Sequence, residues 1–161
     1  GKSTGWKEWW RAMQRNGVKV DAGWEQAYYT DFSGSSGKGD YPIVLSYSSS
    51  PADEVNADGT PRTASISKDC FRQTEYAGVL AHASNATGAR ALIDFMLGNA
   101  FQAALPESMY VYPVNKNVNV PARWSDIAKP ADTFVDASKL NFDKYRTKWI
   151  DEWAYLVLAH A

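Results

Sequence analysis

The chain has 161 residues, of which 45% are hydrophobic and 22% are charged, and its formal net charge is −1. These values describe one globular domain that can bury a core, and they exclude the basic surface of a typical nucleic-acid-binding protein. The opening GKSTGW predicts no signal peptide, and a single cysteine excludes an internal disulfide. The unusual value is the aromatic content of 14%, with seven tryptophans and nine tyrosines.

The first third of the chain is predicted to alternate helices with strands. Apolar residues at helical spacing predict a helix that ends at the Asn-Gly pair of positions 16–17, and VKVDA then predicts a short strand. Residues 24–32 have a helical pattern that the Gly/Ser loop SGSSGKGD ends. The run YPIVLSY, residues 41–47, is continuously apolar, which is typical of a strand at the centre of a parallel sheet.

The rest of the chain continues this alternation. A helix is predicted to begin at Ser50-Pro51, with Ser50 as its cap. Strand-like runs follow at 63–67, 71–81 and 109–114. Helices are predicted over 86–104, broken at Gly98-Asn99, and over 145–160. The alternation predicts an α/β domain whose mostly parallel sheet includes residues 42–47 and is flanked by helices.

Catalytic chemistry finds little support in the sequence. Neither His82 nor His160 has a cysteine or carboxylate partner at metal-binding spacing, and the serines lack a nucleophile-elbow motif. We therefore expect a binding protein with no enzymatic activity, metal or cofactor. Two alternatives stay open: an enzyme fragment that uses Cys70 as nucleophile and His82 as base, and a structural interaction domain.

Four segments carry a resemblance to a known family. In this order, GWEQAY, VLSYSSSPADEV, the stretch from FRQTEYAGVL to MYVYPV, and KWIDEW resemble the second lobe of bacterial thiamine-binding proteins, the receptors of ABC importers. The resemblance implies that residues 1–161 form one α/β domain, the C-terminal lobe of a two-lobe, periplasmic-binding-protein-like fold of type II. It also implies that the first lobe is absent from this chain.

The same resemblance implies a function and a site. The ligand would be thiamine or a thiamine phosphate. The partners would be the membrane subunits of an ABC transporter and the missing N-terminal lobe, and no nucleic acid. The location would be extracytoplasmic, in a bacterial periplasm or anchored at the cell surface. The matching ligand-binding positions are Trp24, Tyr47 and Tyr110, whose rings would hold a flat cation. Asp53 departs from the family, which has an aromatic residue there, and its carboxylate could face the cation.

Other members of this superfamily bind ferric ion through adjacent tyrosines, so another flat cation or ferric ion is an alternative ligand. The pair Tyr28-Tyr29 lies within a predicted helix and its two side chains point to different faces. We predict that Tyr28 packs in the interior and that Tyr29 is exposed. Five tryptophans have helical spacing, and we predict that they are packing residues and not part of a site: Trp6, Trp9, Trp10, Trp149 and Trp153.

Overall fold

The computed structural model of the chain describes residues 5–159, with only the backbone given for Ser36. Within this range the chain forms two compact units. The central unit is Tyr28–Val135, and the terminal unit combines the residues up to Ala27 with those from Asp136 onward. His160, in the last predicted helix, lies outside the described residues. No helix among the described residues has the length and apolarity that crossing a membrane requires.

The terminal unit is built mainly from two helices, α1 (Gly5–Arg15) and α6 (Phe142–Val157), which pack against each other. The rings of Trp10 and Trp153 meet edge to face, with centroids 5.6 Å apart. The Lys7 ammonium lies 3.0 Å from a carboxylate oxygen of Glu152. The helical spacing of the apolar residues predicts both helices, because it gives each one an aromatic stripe. The stripes of the two helices pack on each other.

The ends of these helices follow local rules. After α1, the N–H of Val18 donates to the carbonyl of Met13 at 3.0 Å while Gly17 takes a φ of 74°, which confirms the predicted helix end. Before α6, the side-chain oxygen of Asn141 accepts a hydrogen bond from the N–H of Lys144 at 3.1 Å. This cap starts the helix before position 145, where the sequence pattern placed its beginning.

The central unit also consists of helices joined by irregular segments. The remaining helical elements in chain order are a π-helical turn (Gln26–Asp31), α2 (Ser33–Ser36), a 3-10 turn (Ser50–Ala52), α3 (Ala86–Leu97), α4 (Asn99–Met109), α5 (Ala122–Ile127) and a second 3-10 turn (Ala137–Lys139), which belongs to the terminal unit. Gly98 is extended and separates α3 from α4, so the predicted break there is confirmed. α3 begins where the side chain of Asn85 accepts from the N–H of Gly88.

The predicted sheet is wrong. The described residues contain isolated bridges in place of a sheet, and the Leu45 side chain is 92% exposed where a central strand would bury it. The parallel bridge between Phe32 and Tyr41 stops at once, because the next residue, Pro42, has no N–H to continue a ladder. The α/β class with a mostly parallel sheet therefore does not describe this chain, which is helical with extended connections.

A small core in the central unit forms where the first 3-10 turn meets α5. Ala52, Trp124 and Ala128 are buried there, and Tyr112 and Val120 pack against them. The Tyr112 ring meets the Trp124 ring edge to face, with centroids 5.4 Å apart. Burial of the Trp124 indole is the largest apolar contribution to this core. The core fixes the turn at residues 48–52 beside the segment 110–112, and this is where the candidate site lies.

Candidate functional site

The serine-rich turn at residues 48–50 is the centre of the candidate site. Ser49 is 2% exposed, and its hydroxyl donates a 2.8 Å hydrogen bond to the carbonyl of Tyr110. The hydroxyls of Ser48 and Tyr112 are hydrogen-bonded to each other at 3.0 Å. Two successive serines therefore hold two positions of one segment that is 61–64 residues away along the chain.

Tyr110 takes an unusual backbone conformation at this contact. It follows the last residue of α4 with φ 56° and ψ 31°, in the left-handed region that is costly for a residue with a side chain. Its N–H donates to the carbonyl of Pro106 and closes the helix, while its own carbonyl is held by Ser49. A helix end and a buried hydroxyl thus fix the backbone from which the Tyr110 ring projects.

The two tyrosines of this segment have different surroundings. Tyr112 packs in the core, and burial raises the pKa of its phenol although the bond to Ser48 acts in the opposite direction. Tyr110 is 48% exposed. A strand over the run 109–114 would place both side chains on one face. The turn at the end of α4 replaces that strand, and Tyr112 packs against the core whereas Tyr110 lies at the surface.

Tyr47 and Asp53 lie on either side of the same turn. Tyr47 comes directly before Ser48 and is 63% exposed. Asp53 is an exposed residue that follows the 3-10 turn, where its N–H donates to the carbonyl of Ser50 at 3.1 Å. The structure thus brings the segments that carry Tyr47, Asp53 and Tyr110 together through Ser49. That their side chains meet one ligand stays a prediction.

Trp24 belongs to the terminal unit, whereas the other three predicted site residues belong to the central unit. It begins a helical turn, as the sequence predicts, and its indole is 38% exposed. Its place in a common site with Tyr47 stays a prediction.

A polar cluster behind the turn, in which Tyr28 and Glu54 are buried, is absent from the sequence-based prediction. The carboxylate of Glu54 is buried and bonds to the guanidinium of Arg62. The Tyr28 phenol bonds to Ser50 and Glu54, and burial, aided by the Glu54 charge, raises the pKa of Tyr28 to about 12. The hydroxyl of Ser46 lies 2.8 Å from that of Ser50. This cluster fixes the turn from its inner side.

One signal for this cluster was present in the sequence. Asp58-Gly59 is a turn pair between two short extended pieces, and it brings Arg62 back to Glu54, where the N–H of Arg62 donates to the carbonyl of Glu54 at 2.7 Å. The neighbouring tyrosines agree with prediction, because Tyr28 is buried and Tyr29 is exposed.

Cys70 and His82, the residues of the alternative enzyme hypothesis, lie outside the serine-rich turn. Cys70 pairs with the segment at Phe134 through a parallel bridge, and its thiol donates to the carbonyl of Ile66 at 3.7 Å. His82 is exposed in a turn. Among the described residues, no group of three or more histidine, cysteine, aspartate or glutamate side chains is arranged to hold a metal ion.

The chain is similar in sequence to several proteins that share one name. The chain is 32% identical over 146 residues to a thiamine-binding periplasmic protein of Escherichia coli (strain K12), and equally to one of Salmonella typhimurium. It is 29% identical over 150 residues to a thiamine-binding periplasmic protein of Brucella suis biovar 1. Each match covers 89% of this chain and 42% of the relative, so the chain spans about two-fifths of their length. No protein-family model matches the chain, and no solved structure matches it. The resemblance indicated by the motifs is confirmed.

Proposed function

We propose that this chain, which is similar over most of its length to thiamine-binding periplasmic proteins, is part of a receptor that captures thiamine or a thiamine phosphate for an ABC-type importer. The receptor acts outside the bacterial cytoplasm, in the periplasm or anchored at the cell surface. Its partners are the membrane subunits of the transporter and a first lobe of the same protein. The chain binds its ligand without making or breaking a bond.

The observation that carries this proposal is the match itself. It extends over 89% of the chain, and the relatives come from three genera and share one name. The relatives are named as binding proteins, which favours capture over catalysis. The motifs that suggested the family, LSY-SSP and the segment at Tyr110, are also the two segments that Ser49 joins.

The chemistry of the site suits a flat cation. Thiamine carries a cationic thiazolium ring and a flat aminopyrimidine, and both stack well on aromatic faces. Tyr47 and Tyr110 are exposed and belong to the two segments that the Ser49 hydrogen bond joins, and Asp53 adds a negative charge next to the turn. Trp24 supplies the strongest cation–π surface of the four proposed residues.

The serine turn supports this role by ordering the site before the ligand arrives. The Tyr110 carbonyl is bonded to Ser49, and the turn is anchored by the cluster of Glu54, Arg62 and Tyr28. A ligand that meets fixed rings loses less free energy to the ordering of side chains and loops. The buried hydrogen bonds behind the turn therefore contribute to affinity although they do not touch the ligand.

Binding calorimetry tests the proposal on the longer polypeptide, which is this chain together with the proposed first lobe. Thiamine, thiamine monophosphate and thiamine diphosphate are titrated in parallel, and we expect at least one to bind with one site per molecule. Tyr47→Ala should weaken that binding severalfold. The matched control is Tyr76→Ala, because Tyr76 is a highly exposed tyrosine of the same unit outside the proposed site. Absence of binding for all three compounds, or equal effects of the two substitutions, would contradict the proposal.

A further inference from the structure

The terminal unit carries an apolar groove that has no part in the proposed ligand site. The groove runs between α1 and α6, encloses about 580 Å³, and is lined by Trp6, Phe142, Arg146, Trp149, Ile150 and Trp153. Five of these six side chains are apolar, and four of those are aromatic. None of the six is buried, and Ile150 is 48% exposed.

Rings that line the groove contact each other and neighbouring rings of the same two helices. Trp149 stacks on Tyr145 with centroids 5.5 Å apart and meets the edge of Phe142 at 6.1 Å. Trp153 meets the edge of Trp10. None of the four aromatic side chains that line the groove is buried, so an aromatic surface remains open to solvent. Contiguous apolar patches on a protein surface mark sites where another surface binds.

We propose that this groove is the docking surface for the part of the polypeptide that lies outside these 161 residues, the first lobe of the receptor. The inference rests on the proposed function. The chain matches 42% of the length of its relatives, so more than half of a relative's length has no counterpart here. None of the five tryptophans of α1 and α6 is buried, and a second layer from that missing length would complete the core.

Charge in the groove separates this occupant from two others. Arg146 is the only charged residue among the six that line it. A thiamine cation would meet a like charge there, which disfavours the groove as a second thiamine site. A second copy of the chain in a two-fold contact would bring two Arg146 side chains into one interface. A segment of the first lobe can instead place a carboxylate or a carbonyl oxygen opposite Arg146.

Photo-crosslinking in the longer polypeptide tests the proposal. A benzophenone amino acid replaces Ile150 in the groove and, as the control, Tyr155, which lies on the opposite face of α6 and is highly exposed. Illumination should link position 150 to peptides outside residues 1–161 within the same molecule, while position 155 gives no such link. A link from position 150 to a second molecule, or no link, would overturn the proposal.

A pair of charge substitutions provides a second test that does not depend on crosslinking. Ile150→Lys should raise amide hydrogen exchange in α6 of the longer polypeptide at least tenfold, because it places a charge in the covered groove. Tyr155→Lys should leave exchange unchanged. Equal exchange in the two variants would overturn the docking surface. Thiamine calorimetry on the unsubstituted protein is scored separately: binding with no effect at position 150 rejects the groove alone, whereas a crosslink without thiamine binding rejects the proposed function alone.

Discussion

The two units use tryptophan in opposite ways. The central unit contains one tryptophan, Trp124, which is 2% exposed and lies in a core with two alanines. The terminal unit contains the other six, namely Trp6, Trp9, Trp10, Trp24, Trp149 and Trp153, and none of them is buried. One unit has thus enclosed its largest side chain, whereas the other presents aromatic faces. The difference indicates that aromatic content alone does not measure the size of a core, because tryptophan is buried in one unit and partly or fully exposed in the other.

Truncation of Trp124 should have the largest effect on stability. Trp124→Ala removes a buried indole from between Tyr112 and Ala128 and leaves a cavity, so we expect a loss of about 3–5 kcal/mol in the free energy of unfolding. Urea denaturation followed by circular dichroism measures it. Trp9→Ala in the terminal unit is the control, and its exposed ring should cost about 1 kcal/mol or less. Similar losses of stability for the two variants would show that the enclosed tryptophan contributes no more to stability than the exposed one.

The buried Tyr28 phenol gives the central unit a stability limit in alkali. Burial raises the pKa of Tyr28 to about 12 in the folded state, from 10.0 when exposed. Because the folded pKa is the higher one, the unfolded state loses its proton first. Stability is therefore fully present below pH 10 and falls as the pH rises from 10 to 12, by a total of about 2–3 kcal/mol.

Urea midpoints measured between pH 9 and pH 12 check this dependence. Tyr28→Phe should flatten the decline while it lowers stability at pH 9, since the bonds to Ser50 and Glu54 are lost. Tyr29→Phe, at the exposed neighbour, should keep the decline. A decline of the same size in Tyr28→Phe would assign the alkaline effect to another group.

The helices and the sheet differ in how well the sequence could predict them. The helices were predictable because their signals are local: the spacing of apolar residues, the Asn16-Gly17 end and the break at Gly98. The sheet was mispredicted because an apolar run such as 41–47 indicates a preference for extended backbone, and pairing depends on residues far along the chain. The run has one isolated bridge and then Pro42.

The candidate site was predictable in part, for the same physical reason. The motifs pointed to Tyr47 and Tyr110, whose segments the structure joins. The residue that joins them, Ser49, has no individual signal, because a serine that binds a carbonyl 61 residues away resembles any other serine in a turn. The Glu54–Arg62 pair is similar: Glu54 is buried and Arg62 is exposed, yet in the sequence each looks like an ordinary surface charge.

Removal of the Ser49 hydroxyl should have a moderate effect. Ser49→Ala leaves the Tyr110 carbonyl without its buried donor and should lower the free energy of unfolding by about 1–2 kcal/mol. The matched substitution in the terminal unit is Ser138→Ala, whose hydroxyl donates to Asp136 at an exposed turn and should cost less. Thermal unfolding of both variants measures the difference. A larger loss for Ser138→Ala would show that the turn at 48–50 does not fix Tyr110.

The smallest effects are expected from single rings of the ligand site, and they decide whether both units contribute to it. A partly exposed ring–cation contact contributes about 0.5–1 kcal/mol, so Trp24→Ala in the terminal unit and Tyr110→Ala in the central unit should each weaken thiamine binding by the longer polypeptide about two- to fivefold. Three such rings give roughly 1.5–3 kcal/mol, whereas a millimolar dissociation constant needs about 4 kcal/mol. The 161-residue chain alone should therefore bind thiamine at millimolar strength or weaker. Binding calorimetry on the longer polypeptide measures the effects of the two substitutions. Tryptophan fluorescence titration measures the affinity of the 161-residue chain, since a thiazolium stacked on Trp24 should quench its emission. If Tyr110→Ala weakens binding and Trp24→Ala does not, the ligand contacts the central unit only. Submicromolar binding by the 161-residue chain would show instead that these residues contain a complete site.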